Sequence, residues 1–313
     1  MVQVELVAIS IVIGSIYALM SVGLTLTLSV LKLPNLAHAE IITVGAYSVA
    51  VLVDYYSANI AVALFVAAIV GMTVAVLGEL LVFRPLNSRR ASLYILILAS
   101  FALGLMVRFI IYIWAAEYNL LFVINLYPNK VLLSIGGFQI TTLFVMVLPV
   151  TFAMVVGMHL LLNNTRLGKS MRAMHSNLSL AKVSGIKTGR VTLITWALVG
   201  ALTGIGGGFW SIQTQVYPQV GFDVLLDIFA IVVLAGLTSF YGTLIASYII
   251  AFSENLLVGV LYSTFGLSPS YEPIIPFIVI IAVLLVRPSG LQRSSEGTGL
   301  SFLKNIFRMD GGK

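Results

Sequence analysis

The chain alternates long apolar runs with short polar connections along its 313 residues. About 20 apolar residues in a helix are enough to cross the hydrocarbon core of a bilayer. Six runs have about that length, at residues 6–31, 61–83, 92–115, 141–162, 191–213 and 243–261. Three shorter runs, which predict tilted spans or half-helices, lie at residues 41–53, 224–237 and 274–286. The pattern predicts an all-α, polytopic transmembrane helical bundle of about 8–10 spans.

Basic residues are concentrated in alternate connections of this predicted bundle. Of the 17 lysines and arginines, 15 fall in connections that nine alternating spans place on one side. Lys130 lies in an opposite loop, and Arg108 lies near the outer end of a span, from which its side chain is expected to extend to the interface. Because cytoplasmic loops carry excess Lys and Arg, we predict the N-terminus outside and the C-terminus in the cytoplasm.

The composition limits the classes of function that the chain can have. Only 9% of residues are charged, whereas soluble domains have about a quarter. The lipid bilayer therefore replaces water around most of the fold, and the net charge of +6 belongs to cytoplasmic loops rather than to a nucleic-acid site. Without cysteine, and with three histidines far apart, no metal site is predicted. No clustered catalytic groups indicate an enzyme.

One stretch partly matches a phosphate-binding loop. Gly168-Lys-Ser170 ends such a motif, but the motif also needs a glycine where Asn163 stands, and a preceding strand. We therefore predict no cofactor for this chain, and if ATP drives it, partner subunits bind the nucleotide.

Small residues recur on one face of the run at 191–213. Gly200, Gly204 and Gly208 follow one another every fourth residue. This spacing lets helix backbones approach closely, which is how helices associate in lipid. Tight packing is the favoured interpretation, and a pivoting helix is the alternative.

Two polar, interrupted segments are the candidates for a substrate path. Asn35, His38 and Glu40 lead into one short apolar run, and Asp223 and Asp227 open another. Paired interruptions, one in each half of a transporter, often line its path, because freed backbone groups and helix ends bind ligand charges there. The alternative is that His38 and Glu40 cap a helix at the inner surface and Asp223 caps one at the outer surface.

The 163–190 connection carries six basic residues and no acidic ones. Its apolar positions fit the spacing of short helices that lie on a surface. One interpretation is an amphipathic loop resting on anionic lipid. The other is a docking element for a cytoplasmic partner.

Four stretches together resemble the inner-membrane permeases of the branched-chain amino acid ABC importers, closest to their H-type subunit. The first contains Asn35-Leu-Ala-His-Ala-Glu40, where the family usually has Asn-Phe-Ala-His-Gly-Glu. The four stretches occur in order at residues 23–47, 79–86, 165–191 and 217–237. At Asp227 the family usually has lysine.

The resemblance implies a permease core of two subunits, with either a sister permease or a second copy. Two cytoplasmic ATPase subunits would bind below it, and an extracytoplasmic solute-binding protein above it. It also implies that the 163–190 loop couples the chain to the ATPases. The positions carried over are Arg166, Gly168, Arg172, Gly185 and Arg190.

The sequence therefore predicts a permease domain over residues 1–290 and a partly disordered cytoplasmic tail over residues 291–313. The predicted function is inward transport of branched-chain or other amino acids across the inner or plasma membrane. One alternative is the same importer class carrying urea or short amides. Another is a stand-alone carrier driven by ions, with Asp227 and Glu254 as coupling carboxylates; the basic loop separates the two classes, because such a carrier has no ATPase to dock.

Overall fold

The computed structural model describes residues 2–123, 129–135, 138–257, 259 and 274–286. In chain order its α-helices are α1 (Val2–Leu26), α2 (His38–Asp54), α3 (Ile60–Gly78), α4 (Arg84–Ser88), α5 (Leu93–Glu117), α6 (Thr142–Asn164), α7 (Arg166–Ser176), α8 (Leu178–Val183), α9 (Thr188–Gln213), α10 (Val220–Ala235), α11 (Phe240–Phe252) and α12 (Ile274–Val286). The predicted tail at residues 291–313 lies outside the described residues, so the proposed domain division stays a prediction.

Three of these helices continue into π-helical turns. The turns are Thr27–Leu31 after α1, Glu79–Phe83 between α3 and α4, and Ser253–Leu257 after α11. Because the second turn joins α3 to α4 without a break, residues 60–88 form one continuous rod.

Five helical stretches of the described chain are long and apolar enough to cross a membrane, which confirms five of the six long runs. They are Glu5–Leu31, Ile60–Ser88, Leu93–Glu117, Thr142–Asn164 and Thr188–Gln213. The sixth run begins earlier than predicted, at Phe240, and its α-helical part ends at Phe252. The three short runs form α2, α10 and α12, as predicted.

Helix α9 lies at the centre of the bundle and packs against α1, α2 and α3. A side-chain carbon added at Gly200 or Gly204 would collide with backbone of α3, at Gly71 and Ala67. One added at Gly207 would collide with backbone of α2. Tight backbone packing of α9 is thus confirmed, and the small residues explain it.

The outer faces of the bundle are strongly apolar. Large side chains of α3, α5, α6 and α12 are exposed, including Phe65, Phe101, Ile113, Phe152 and Ile281. In water such a surface would aggregate, whereas lipid solvates it at no cost. The fold is a helical membrane bundle, as predicted.

Within the described residues, a small hairpin between α5 and α6 departs from the all-helical pattern. Strands β1 (Val131–Ile135) and β2 (Phe138–Thr141) pair antiparallel, with Val131 opposite Thr141. Helix α6 starts directly after β2, and the Thr141 hydroxyl caps it by accepting from the Phe144 N–H. We call this end of the bundle the hairpin end.

The opposite end carries α4, α7 and α8, and we call it the basic end. His175 of α7 bonds Ser29 in the π turn after α1, and residues of the Glu79–Phe83 turn, α4, α8 and α9 line one cleft there. Exposed arginines and lysines of the 84–90 and 166–190 segments lie at this end, whereas Lys130 lies beside the hairpin.

Candidate translocation and coupling sites

The chain doubles back after α1 and starts α2 inside the bundle. Lys32 has a left-handed backbone (φ 54°) that reverses the chain, and residues 32–37, here called the returning segment, contain no regular helix. His38, the first residue of α2, places Nε2 3.0 Å from the carbonyl oxygen of Met20 and 3.4 Å from the hydroxyl of Thr203. Met20 precedes Leu31, the last residue of the π turn after α1, by about 16 Å of helix, so α2 begins well within the bundle.

The interpretation of His38 and Glu40 as helix caps at the inner surface is therefore wrong. The N-cap residue of α2 is Ala37, and no side chain caps that helix. Asn35 is 1% exposed, and its Oδ1 accepts from the Ala37 N–H at 3.1 Å, which stabilises the returning segment. Both other side chains are buried and bond to neighbouring helices instead.

Glu40 of α2 forms an ion pair with Arg108 of α5. The Arg108 Nη2 and Nε atoms lie 2.5 and 2.9 Å from the same oxygen, Glu40 Oε1. The Glu40 residue is 1% exposed and Arg108 9%. Arg108 therefore does not extend to the outer interface as expected: a carboxylate within the membrane neutralises it, since an unpaired charge there is costly.

The start of α10 closes over this ion pair. The Phe222 ring lies 4.3 Å from the Arg108 guanidinium carbon, in a cation–π arrangement. Next to it, the Gly221 N–H donates to the Thr43 hydroxyl of α2 at 3.1 Å. The two interrupted helices thus meet near their N-terminal ends, although their sequences lie about 180 residues apart.

Asp223 lies at the exposed side of this junction. The Tyr217 hydroxyl donates to Asp223 Oδ2 at 2.5 Å. Partial burial of Tyr217, together with this bond and the nearby negative charge, raises the pKa of its phenol to about 12. The tyrosine therefore stays neutral at physiological pH, and the carboxylate remains near the surface.

Asp227, one turn later, faces a different partner. The Tyr17 hydroxyl of α1 lies 3.2 Å from Asp227 Oδ2 and 3.1 Å from Glu254 Oε2 of the turn after α11. Tyr17 and Glu254 are buried and Asp227 is half-buried, with the Tyr17 ring against Trp210. A phenol has one proton and donates it to one acceptor at a time. This group, the carboxylate–tyrosine cluster, brings two carboxyl groups to one hydroxyl inside the bundle.

At the basic end, α7 folds back on the end of α6. Thr165 caps α7 by accepting from the Gly168 N–H at 3.1 Å. A side-chain carbon at Gly168 would collide with the carbonyl oxygens of Leu161 and Leu162, so only glycine permits this approach. Arg172 donates to the Leu162 carbonyl, and the His175 Nδ1 lies 2.7 Å from the Ser29 carbonyl oxygen. These contacts attach α7 to both α6 and α1.

The surface of α8 combines charge with exposed apolar side chains. Gly185 ends this helix with a positive φ of 81°, a conformation that glycine adopts without strain. Leu178 is 44% and Val183 86% exposed, and Lys182 is exposed between them. Arg166 and Arg190 are exposed on the neighbouring helices.

Two cavities flank α7. One, of about 330 Å³, lies among α1, α6, α7 and the start of α11. The other, of about 380 Å³, lies among the Glu79–Phe83 turn, α4, α8 and α9 and includes Glu79 and Trp196. None of the five predicted path residues lines either cavity.

Comparison with known proteins identifies the family. The family described as branched-chain amino acid transport system, permease component, matches residues 6–284. The chain belongs to this family. No solved structure matches it.

Two relatives of the chain match along nearly their whole length, and a third matches along less than half of its length. The chain is 31% identical over 292 residues to the probable branched-chain amino acid transport permease protein LivH of Methanocaldococcus jannaschii, covering 90% of each. It is 26% identical over 310 residues to the high-affinity permease protein LivH of Escherichia coli, covering 90% of this chain and 93% of that one. The ribose import permease protein RbsC of Escherichia coli is 30% identical over 133 residues, 40% of each chain. These relatives are transport permeases and not enzymes.

For this member of the permease family, the five predicted path residues fall into two groups. Asn35, His38 and Glu40 are buried in the returning segment and the first turn of α2. Asp223 and Asp227 lie on α10, and the structure gives them separate partners. Their roles in a path stay predictions.

Sequence reasoning missed the partners of these residues. Arg108 carried a usable signal, since an intramembrane arginine normally faces a carboxylate rather than lipid. Tyr17 carried no usable signal in the sequence, because a single tyrosine in an apolar run is not distinctive.

Proposed function

We propose that the chain is a permease subunit of an ATP-binding-cassette importer that forms the translocation path for branched-chain or other amino acids. The observation that carries the proposal is the likeness, over about nine-tenths of each chain, to permeases named for branched-chain amino acid transport. Separate subunits would bind ATP.

The basic end would face the cytoplasm, with the N-terminus outside and the C-terminus inside the inner or plasma membrane. The distribution of charge supports this orientation, since exposed arginines and lysines gather at that end. The α7–α8 surface, with Arg166, Arg172 and Arg190 around exposed Leu178 and Val183, has the mixture of charge and apolar area that suits a protein partner. Two ATPase subunits would dock there.

A sister permease or a second copy would complete the membrane core, and a solute-binding protein would dock at the hairpin end. The five path residues would act along α2 and α10. Asp227 is the strongest candidate for solute contact, because it is half-buried and carries negative charge suited to an ammonium group.

The test reconstitutes the complete importer in vesicles and measures ATP-dependent accumulation of a labelled branched-chain amino acid. Arg166→Glu should abolish solute-stimulated ATPase activity while leaving the subunits inserted. The matched control is Lys130→Glu, which reverses an exposed charge at the other end and should leave activity unchanged. Equal activity in both variants would count against docking at α7.

A second candidate, an ion-coupled carrier, is favoured by one observation, the carboxylate–tyrosine cluster inside the bundle. Intramembrane carboxylates frequently relay protons or bind cations in such carriers. A transport assay with vesicles that contain this chain alone decides between the importer subunit and the ion-coupled carrier. Accumulation on an ion gradient without ATPase subunits would overturn the importer proposal.

A further inference from the structure

The cavity of about 330 Å³ at the basic end has two chemically different sides. On one side Val22 and Leu26, one turn apart on α1, and Val30 of the π turn after α1 form an apolar wall. On the other side Arg172 and His175 of α7, three residues apart, share one helix face. An apolar wall opposite two basic side chains suits a small amphiphilic anion.

The other lining groups fit the same chemistry. Hydroxyl and amide groups complete the rim, from Thr25, Ser29, Asn163, Thr238, Ser239 and Tyr241. No aspartate or glutamate occurs among the lining residues of the described chain. A ligand that carries an ammonium group would thus find no carboxylate there, whereas a simple anion would meet only donors and neutral groups.

Arg172 keeps donors available for such an anion. Its bond to the Leu162 carbonyl uses one of the five N–H groups that a guanidinium offers. The remaining N–H groups match the geometry of a planar carboxylate, which arginine binds through two parallel hydrogen bonds. The volume lies at the lower end of the range of small-molecule sites, about 300–1,000 Å³, and suits a short aliphatic chain rather than a two-chain lipid.

We propose that this cavity binds a small aliphatic monocarboxylate from the basic end, with its carboxylate on Arg172 and His175 and its hydrocarbon part against α1. The same two side chains attach α7 to α6 and α1. A bound carboxylate would therefore hold α7 against the bundle. If α7 docks the ATPase, which rests on the proposed function, occupancy would lower ATPase activity.

Cysteine protection tests the site, because the chain contains no cysteine of its own. Ser29→Cys places a thiol in the cavity, and Ser176→Cys places one on the exposed face of α7 outside it. Full-length protein in nanodiscs of zwitterionic lipid is labelled with a polar thiol reagent, with and without 4-methylpentanoate. At about ten times its dissociation constant, the probe should slow labelling at Ser29→Cys roughly tenfold, in proportion to the sites left empty. Labelling at Ser176→Cys should not change.

Other probes establish the chemistry. 3-Methylbutylamine and inorganic phosphate should give no protection, and leucine less than 4-methylpentanoate. Arg172→Gln in the Ser29→Cys background should abolish protection, while an unchanged labelling rate of this variant without any probe shows that α7 still covers the cavity. Protection by the amine or phosphate, protection by anionic lipid alone, or no protection by 4-methylpentanoate would overturn the proposal. Because this assay needs neither ATP nor uptake, its failure is distinct from failure of the importer function.

Discussion

The guanidinium of Arg108 and the carboxylate of Glu40 meet inside the membrane bundle, 2.5 Å apart at their closest atoms. The pair joins α5 to the first turn of α2, where the returning segment brings the chain back from the basic end. An interrupted helix in a bilayer needs such partners, because its free backbone groups and side chains have no water to bond.

Removing one partner of this pair should destabilise the protein strongly. Arg108→Gln leaves the Glu40 charge buried without its counter-ion, which typically costs about 3–5 kcal/mol. The measurement is thermal unfolding of the purified protein in detergent, with Arg89→Gln, a change at an exposed loop position, as the control.

The double variant Arg108→Gln with Glu40→Gln should recover part of the loss, since neither charge then remains uncompensated. If Arg108→Gln unfolds at the same temperature as Arg89→Gln, the ion pair does not stabilise the bundle.

Alanine at Gly204 should separate α9 from α3. Its added carbon would collide with the carbonyl oxygen of Ala67, and such overpacking typically costs about 1–3 kcal/mol. Gly157 of α6 is the matched control, because nothing lies within 4 Å of the position of an added carbon there. Gly157→Ala should raise stability by up to about 1 kcal/mol through helix propensity. Equal effects of the two changes in thermal unfolding would show that α9 packing tolerates side chains.

Neutralising Asp227 should impair transport more than it impairs folding. In the reconstituted importer, Asp227→Asn removes the charge proposed to meet the solute, and uptake should fall roughly tenfold, equivalent to about 1.4 kcal/mol. Tyr17→Phe, which removes the bridging hydroxyl, should reduce uptake less. Glu117→Gln changes an exposed acid at the hairpin end and serves as control. Uptake at the control level in Asp227→Asn would assign this residue a structural role.

The two glycines around α7 and α8 should affect coupling for different reasons. Gly168→Ala would push α7 off the end of α6, and Gly185→Ala forces alanine into a left-handed conformation at a cost of about 1–2 kcal/mol. Both should lower solute-stimulated ATPase activity in the assembled complex. Gly189→Ala, where an added carbon meets no atom within 4 Å, should leave it unchanged. Loss of activity in all three would indicate a general defect rather than altered α7–α8 geometry.

The long helices were predictable because one contribution to the free energy, the burial of apolar side chains in lipid, determines where they form. The runs predicted at 92–115 and 141–162 correspond to Leu93–Glu117 and Thr142–Asn164. The hairpin at 131–141 was not predicted, because its alternation is short and lies among loop residues. The extent of α11 was also missed, since a π turn at Ser253–Leu257 ends the α-helix inside the predicted run.

The pairings of polar residues could not be predicted from sequence. Glu40 and Arg108 lie 68 residues apart, and Tyr17 lies 210 residues from Asp227. Local patterns show that such residues need partners, but the choice among partners depends on how α1, α2, α5 and α10 pack. Gly168 was placed in the coupling loop by family resemblance, and only its contact with α6 explains why a glycine stands there.

The π turn Glu79–Phe83 gives the rod of residues 60–88 one residue more than a regular α-helix of the same course. Each residue of a helix turns the chain by about 100°, so α4 presents a different side from the one that α3 would continue. Phe83 thereby stacks on Trp196 of α9, with ring centroids 5.1 Å apart, while Arg84 stays exposed. Deleting a single residue from this turn would leave the length of the rod almost unchanged, but it would rotate α4 about the rod axis relative to α3 and so disturb the stacking of Phe83 on Trp196.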